Sequence, residues 1–202
     1  MPARSRLHAL CSSLGRLAPL SDESWAAGEP FFTAHRLAAG EHVIGAGDVV
    51  DRVYFLTSGL ARYYYLTPGG KELNKSFSTE GQVLSSISSL VEGAPSPFFV
   101  QALEPSECLS IKYADVLALG EKHRQWEVVA RRLVEILAIK KELREADFLL
   151  LSAAERYQKF LEEHARFVGR IPNYHIASYL GITEVALSRI RGRLGIGRVN
   201  RG

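Results

Sequence analysis

The sequence predicts an α+β fold: an antiparallel β-roll preceded by a short helix, then one long helix, then a winged-helix-like helix-turn-helix. Three observations predict it. Through the first half, turn residues punctuate short apolar runs about every 8–12 residues. From Trp126 to Phe148 there is then no Gly or Pro, and apolar residues recur at helical spacing. Near the C-terminus, an Ala and a Gly four positions apart stand within two short apolar segments. The expected divisions are residues 1–124 (roll with N-terminal helix), 125–150 (long helix and hinge) and 151–202 (helix-turn-helix).

In chain order, Leu7, Leu10, Leu14 and Leu17 share one face of a short helix. From about Phe31 the turns begin: Gly45-Ala-Gly47-Asp, Ser58-Gly59 and Glu80-Gly81. Between them Val53-Tyr-Phe-Leu-Thr57 reads as a buried strand. Arg62-Tyr-Tyr-Tyr-Leu66, the turn Pro68-Gly69-Gly70 and Glu72-Leu-Asn-Lys-Ser-Phe77 read as a hairpin. Residues 98–103 and 108–111 complete the strands, and Glu92 falls in a loop. In the long helix, Val129, Leu133, Ile136, Leu137 and Leu143 approximate a heptad seam, which predicts a homodimer.

Ser152-Ala-Ala-Glu155 is a capping box opening a helix to about residue 165. A second helix starts at Asn173 after Pro172, and Thr183 caps a third over residues 184–194. Ala177 supplies the small residue where two helices cross, and Gly181 the turn that needs positive φ. Ile176, Leu180, Ile182, Leu187 and Ile190 lock the pair. The outward positions are polar or basic, as a helix entering the major groove requires. The expected DNA-contacting residues are Asn173, Tyr174, Thr183, Glu184, Val185, Ser188, Arg189, Arg191 and Arg193. Arg189 suits a bidentate contact to guanine. Arg191 and Arg193 suit phosphates.

Charge agrees with this placement. Residues 151–202 hold nine Arg/Lys against four Glu, a net +5; the whole chain is +3, which leaves −2 for residues 1–150. Such a basic tail on a mildly acidic body fits a phosphate-binding module. Cys11 and Cys108 are too few for a disulfide framework, a four-thiolate zinc site or an iron–sulfur cluster, and read as reduced, mostly buried thiols. No run approaches the roughly 20 apolar residues of a membrane span, and residues 7–20 make a poor signal core, so a cytoplasmic protein is expected. No nucleophile–base pair, metal-ligand cluster or phosphate-cradling Gly loop is present, so no enzymatic activity and no metal are expected.

The order and spacing of these features resemble the Crp/Fnr family of regulators. The resemblance covers roughly residues 30–195 and is carried by Ala39-Gly-Glu-His-Val-Ile44, Gly47-Asp-Val-Val-Asp-Arg-Val-Tyr-Phe-Leu-Thr-Ser-Gly59, Gly70-Lys-Glu72 and Gly81, then the long helix and the helix-turn-helix. It implies a cyclic-nucleotide-binding-like roll, a dimer helix, double-stranded DNA as partner and RNA polymerase as a further one.

Two departures qualify what the resemblance implies. Members that bind cyclic nucleotide carry Gly-Glu and, about ten residues later, Arg-Ser/Thr-Ala. Here the corresponding stretches are Ser85-Ser86 and Ser96-Pro97-Phe98, and residues 83–100 contain no arginine and no carboxylate but Glu92. An effector pocket formed by Leu84, Ser85, Ser86, Ser96 and Phe98 would lack a cation for a buried phosphate, so no cAMP response, no cofactor and an unidentified effector are expected. The iron–sulfur variant lacks its cysteines, and His42 and His123 read as packing or surface residues rather than haem ligands. Val185 stands where several members place a cytosine-reading glutamate, so the target sequence should differ. The short segment after Leu194 leaves little room for a β-wing. The competing reading is a ligand-binding or protein-interaction module that has lost DNA reading.

Overall fold

The computed structural model describes residues 3–196. Two four-stranded sheets form the roll: β1 (Thr33–Leu37), β8 (Ser106–Lys112), β3 (Arg52–Ser58) and β6 (Val83–Leu84) in one, and β2 (His42–Ile44), β7 (Phe99–Ala102), β4 (Leu60–Leu66) and β5 (Glu72–Thr79) in the other, each in that order. β8 pairs antiparallel with both β1 and β3, Phe55 lying opposite Leu109. The turn between β4 and β5 closes through Thr67 N–H donating to Lys71 O at 2.9 Å.

Why Val53-Tyr-Phe-Leu reads as an unbroken apolar run is visible in its two faces. Alternate side chains of a strand point to opposite sides. Leu56 points into the roll with Ala61, Tyr63, Leu84, Phe98, Val100 and Cys108. Val53 and Phe55 point outward, where helices cover them. These helices are α1 (Ala3–Gly15), contributing Leu10 and Leu14, α4 (Tyr113–Lys122), contributing Val116 and Leu119, and the start of α5 (Arg124–Leu150), contributing Trp126 and Val129. A further helix, α2 (Asp22–Gly28), capped by Ser21, was not foreseen. Nor was α3 (Ile87–Glu92), which puts Glu92 at a helix end rather than in a loop; Gly93, with φ +65°, terminates it.

By density of contact the chain divides into two units, Met1–Tyr63 with Phe77–Ile139, and Tyr64–Ser76 with Lys140–Gly202. The boundary cuts α5 near Ile139 rather than following it at residue 150, and it assigns the tip of the β4–β5 hairpin to the C-terminal unit. That unit contains α6 (Ala153–Glu163), α7 (Asn173–Leu180) and α8 (Glu184–Arg193). The Ser152–Glu155 capping box is formed in both directions. Tyr157, Phe160, Ile176, Ala177, Leu180 and Leu187 are buried there.

Cys108 is buried, and burial raises its thiol to about 11; Cys11 is only half-buried, against the expectation for it. Among the described residues, no helix is long and apolar enough to cross a membrane. Residues 197–202, on which the question of a wing bears, lie outside the described residues.

Candidate nucleic-acid interface

α7 ends at Gly181, whose φ of +71° and N–H bonds to Ala177 and Ser178 carbonyls make the left-handed stop that glycine allows at least cost. Ile182 N–H then donates to Ala177 O at 3.0 Å, fixing the turn. Thr183 Oγ1 accepts from Ala186 N–H at 3.2 Å and starts α8. On the inner side of α8, Leu187 and Ile190 are buried, as are Ile176, Ala177 and Leu180 of α7. On the outer side Thr183, Glu184, Val185, Ser188, Arg189 and Arg193 are exposed, Val185 at 61%. Asn173 and Tyr174 are exposed at the start of α7.

Arg191 departs from its expected place among the phosphate contacts. It is 8% exposed, and its Nη1 donates to Asn173 Oδ1 at 2.6 Å. At helical spacing it follows Leu187 by four, so it falls on the packed face with Leu187 rather than beside Arg189. It ties α8 to the first residue of α7, and Asn173 Oδ1 is engaged in the same contact.

Two arginines hold the other end of α7. Arg144 Nη2 donates to Tyr179 O at 2.9 Å, with its guanidinium 3.8 Å from the Tyr179 ring centre. Arg156 Nη2 donates to Leu180 O at 3.2 Å. Cations at these carbonyls satisfy groups a helix C-terminus leaves open and face the negative end of its dipole. Phe148 lies against both guanidiniums, at 4.8 and 4.7 Å, and a Cβ on Gly181 would stand 3.2 Å from its ring. The cleft these side chains line measures about 20 Å³, room for about one water and not for an effector.

Asn74 of β5 and His175 and Ser178 of α7 were also not legible in the sequence. Asn74 and His175 are each 4% exposed and hydrogen-bonded to one another. A polar residue in a strand that alternates with Leu73 and Lys75 carries no signal of such a partner.

In the roll, the expected effector residues bond to near neighbours: Ser85 to Tyr63, Ser86 to Ser88, and Ser96 to Phe98. Leu84, Ser86, Ser96 and Phe98 are buried. Tyr63 fills the space beside them, its ring centre 5.6 Å from that of Phe98. Its hydroxyl donates to Val83 O at 3.0 Å and accepts from Ser85 N–H at 3.3 Å. Burial pushes that phenol to about 12, so it is a neutral donor at any ordinary pH. Ser96 Oγ donates to Phe98 O at 2.9 Å. Arg62, on the strand face opposite Tyr63, donates through Nε to Gln101. Leu84, Ser85, Ser86, Ser96 and Phe98 themselves offer only apolar groups and hydroxyls, with no guanidinium among them.

The expected seam residues divide. Val129 is buried, and Leu133 packs against the same cluster as Trp126, so both serve the core of the first unit. Leu137 is half-buried. Ile136 and Leu143 are 50% and 51% exposed, and Val134 and Ile139 are exposed beside them. Residues covering the roll and residues facing out thus share one periodicity along α5.

Known proteins carry the same organisation. Residues 34–123 match the cyclic nucleotide-binding domain family. The chain is 28% identical over 169 residues to the cyclic AMP receptor protein of Thermus thermophilus, covering 79% of this chain and 76% of that one. It is 27% identical over 168 residues to the fumarate and nitrate reduction regulatory protein of Vibrio cholerae, covering 76% of this chain and 65% of that protein. Among solved structures, FixK2 from Bradyrhizobium japonicum superposes with a TM-score of 0.66 at 26% identity, covering 81% of this chain and 84% of that one. Of these relatives, one is named as a cyclic AMP receptor and one as a regulatory protein. The chain thus carries a match to the cyclic nucleotide-binding domain family over residues 34–123, and along most of its length it is similar to a cyclic AMP receptor protein, a fumarate and nitrate reduction regulatory protein and FixK2.

Proposed function

We propose that the protein is a cytoplasmic homodimeric regulator that binds a roughly palindromic DNA operator through α8, without responding to cAMP. The observation that carries this reading is the outer face of α8: Val185, Ser188 and Arg189 are free to enter a major groove while Leu187, Ile190 and Arg191 hold the helix from behind. Arg189 is assigned to guanine, Val185 to a thymine methyl, Thr183 and Arg193 to phosphates, and Asn173 with Tyr174 to the flanking backbone. Arg191 acts by position, holding Asn173. Ile136, Ile139 and Leu143 form the contact with a second copy, which would set two half-sites about 34 Å apart. RNA polymerase is the further partner we propose for it.

Three measurements test it. Arg189→Ala should remove the preference for a selected duplex over random duplex, a loss of about 1–3 kcal/mol in discrimination, with the thermal melt unchanged. Unaltered discrimination would remove Arg189 from the reading set. Ile136→Glu with Leu143→Glu should give a monomer in sedimentation and weaken operator binding by orders of magnitude, whereas a persisting dimer places the contact elsewhere. Titration calorimetry with cAMP or cGMP should show no binding tighter than about millimolar, because a buried phosphate without a cation costs several kcal/mol. A micromolar constant would overturn the cAMP-independent reading.

A further inference from the structure

We propose that the β4–β5 hairpin tip, residues 64–76, is a latch that positions the helix-turn-helix for DNA, with Asn74 and Ser178 as its positioning residues. The proposal rests on the DNA-binding reading above. β5 is the outer strand of its sheet order, so its outward N–H and C=O groups need partners from outside the sheet. α7 supplies them. Ser178 Oγ accepts from Asn74 N–H at 2.9 Å and donates to Glu72 O at 3.0 Å, so one hydroxyl satisfies both a donor and an acceptor of the strand edge. The Asn74 amide nitrogen donates to His175 Nδ1 at 3.1 Å and to His175 O at 3.0 Å. Because an amide nitrogen only donates, Nδ1 accepts and the imidazole proton sits on Nε2.

The Asn74–His175 bonds lie away from water, since both residues are nearly fully buried, whereas the Ser178–Glu72 bond is exposed. Breaking the Asn74–His175 bonds therefore costs buried hydrogen bonds, which makes the contact a discrete state rather than a loose association. The same region is assigned by contact density to the unit that holds α7 and α8. The latch grips His175 and Ser178, and α7 carries α8 through the buried Ala177 and the Gly181 turn. With the latch closed, Val185, Ser188 and Arg189 remain exposed. The latched state is thus compatible with groove entry. Opening it frees α7 to sample orientations that must be given up again on binding.

The test uses the full chain and a duplex selected by the wild-type protein from a random-sequence pool. Asn74→Ala and Ser178→Ala should each weaken binding to that duplex by about tenfold, the equivalent of one to two hydrogen bonds. Ser178→Thr, which keeps the hydroxyl, should retain wild-type affinity. By reciprocity, the duplex should slow hydrogen exchange at the Asn74 amide in the wild type, a readout that a purely structural role would not move. Affinities within twofold of wild type in both folded alanine variants, or an Asn74 amide indifferent to DNA, would overturn the latch. If the wild type selects no duplex, the DNA reading fails. The latch is then judged by whether Asn74→Ala speeds exchange across residues 173–180, and no change overturns it as well.

Discussion

Trp126→Ala is expected to lower the unfolding free energy by about 3–5 kcal/mol, a large share of the stability of an ordinary domain. Trp126 is 1% exposed at the start of α5. Its ring centre lies 6.4 Å from that of Trp25 and 6.2 Å from that of Phe32, and its Nε1–H donates to Ser24 O at 2.8 Å. Truncation opens a cavity that the surrounding segments, held by their own hydrogen bonds, cannot all close on. It also leaves the Ser24 carbonyl without that donor. Gly28 is part of the same fit, since a Cβ there would overlap the indole ring. Trp126→Phe separates the two contributions: it retains most of the ring volume, so its smaller loss reports the hydrogen bond and the residual gap. Urea unfolding followed by far-UV circular dichroism checks both variants. A loss under about 1 kcal/mol for the alanine variant would mean that α5 is not anchored through this residue.

The second expected result is a stability that falls as pH drops from about 6.5 to 4, carried by His164. This imidazole is buried against Phe160, its ring centre 4.3 Å away, with Phe167 at 5.0 Å. Burial lowers its pKa to about 4, the charges of Lys140 and Arg144 add to the shift, and the hydrogen bond to Phe160 O opposes it. The unfolded chain titrates near 6.5, so between these values it binds the proton that the folded state refuses. Stability is therefore full above pH 6.5 and declines toward pH 4, by about 3 kcal/mol across the window. His164→Phe should flatten that slope. Phe160 O keeps the His164 backbone N–H as a donor, so the variant loses no helical bond there. The Glu155 carboxyl is held below its ordinary range by its bonds to Ser152. His35, lowered mainly by burial, contributes a residual slope from the roll. Thermal melts at half-unit pH steps would settle the point, and an undiminished slope in the phenylalanine variant would remove His164 from the account.

The legible parts of this protein are those that local chemistry dictates. The capping box at Ser152, the cap at Thr183 and the left-handed turn at Gly181 each depend on a residue's own side chain or lack of one, and each stands where the sequence placed it. The strand residues 53–57 and the hairpin about Pro68-Gly69-Gly70 were legible for the same reason. α3 was missed because Ile87-Ser-Ser-Leu-Val-Glu is too short to display a helical period, and its defining feature is the glycine after it. The exact share of α5 that faces outward was missed because apolar spacing states that a face will be buried, not by what. Val129 and Leu133 are covered by the protein's own roll, Ile136 and Leu143 are not.

By itself, then, the sequence determined the order of roll, long helix and helix-turn-helix, and the caps and turn that bound α6, α7 and α8, since each follows from residue type and near-neighbour spacing. Tertiary structure alone decided that Tyr63 bonds to Val83 and Ser85, that Arg191 turns inward to Asn173, and that Asn74 is bound to His175. Those outcomes depend on which groups meet across 18 to 101 positions of chain. A buried polar group takes whatever partner the fold brings within about 3 Å, because leaving it unpaired costs more than any local preference can return.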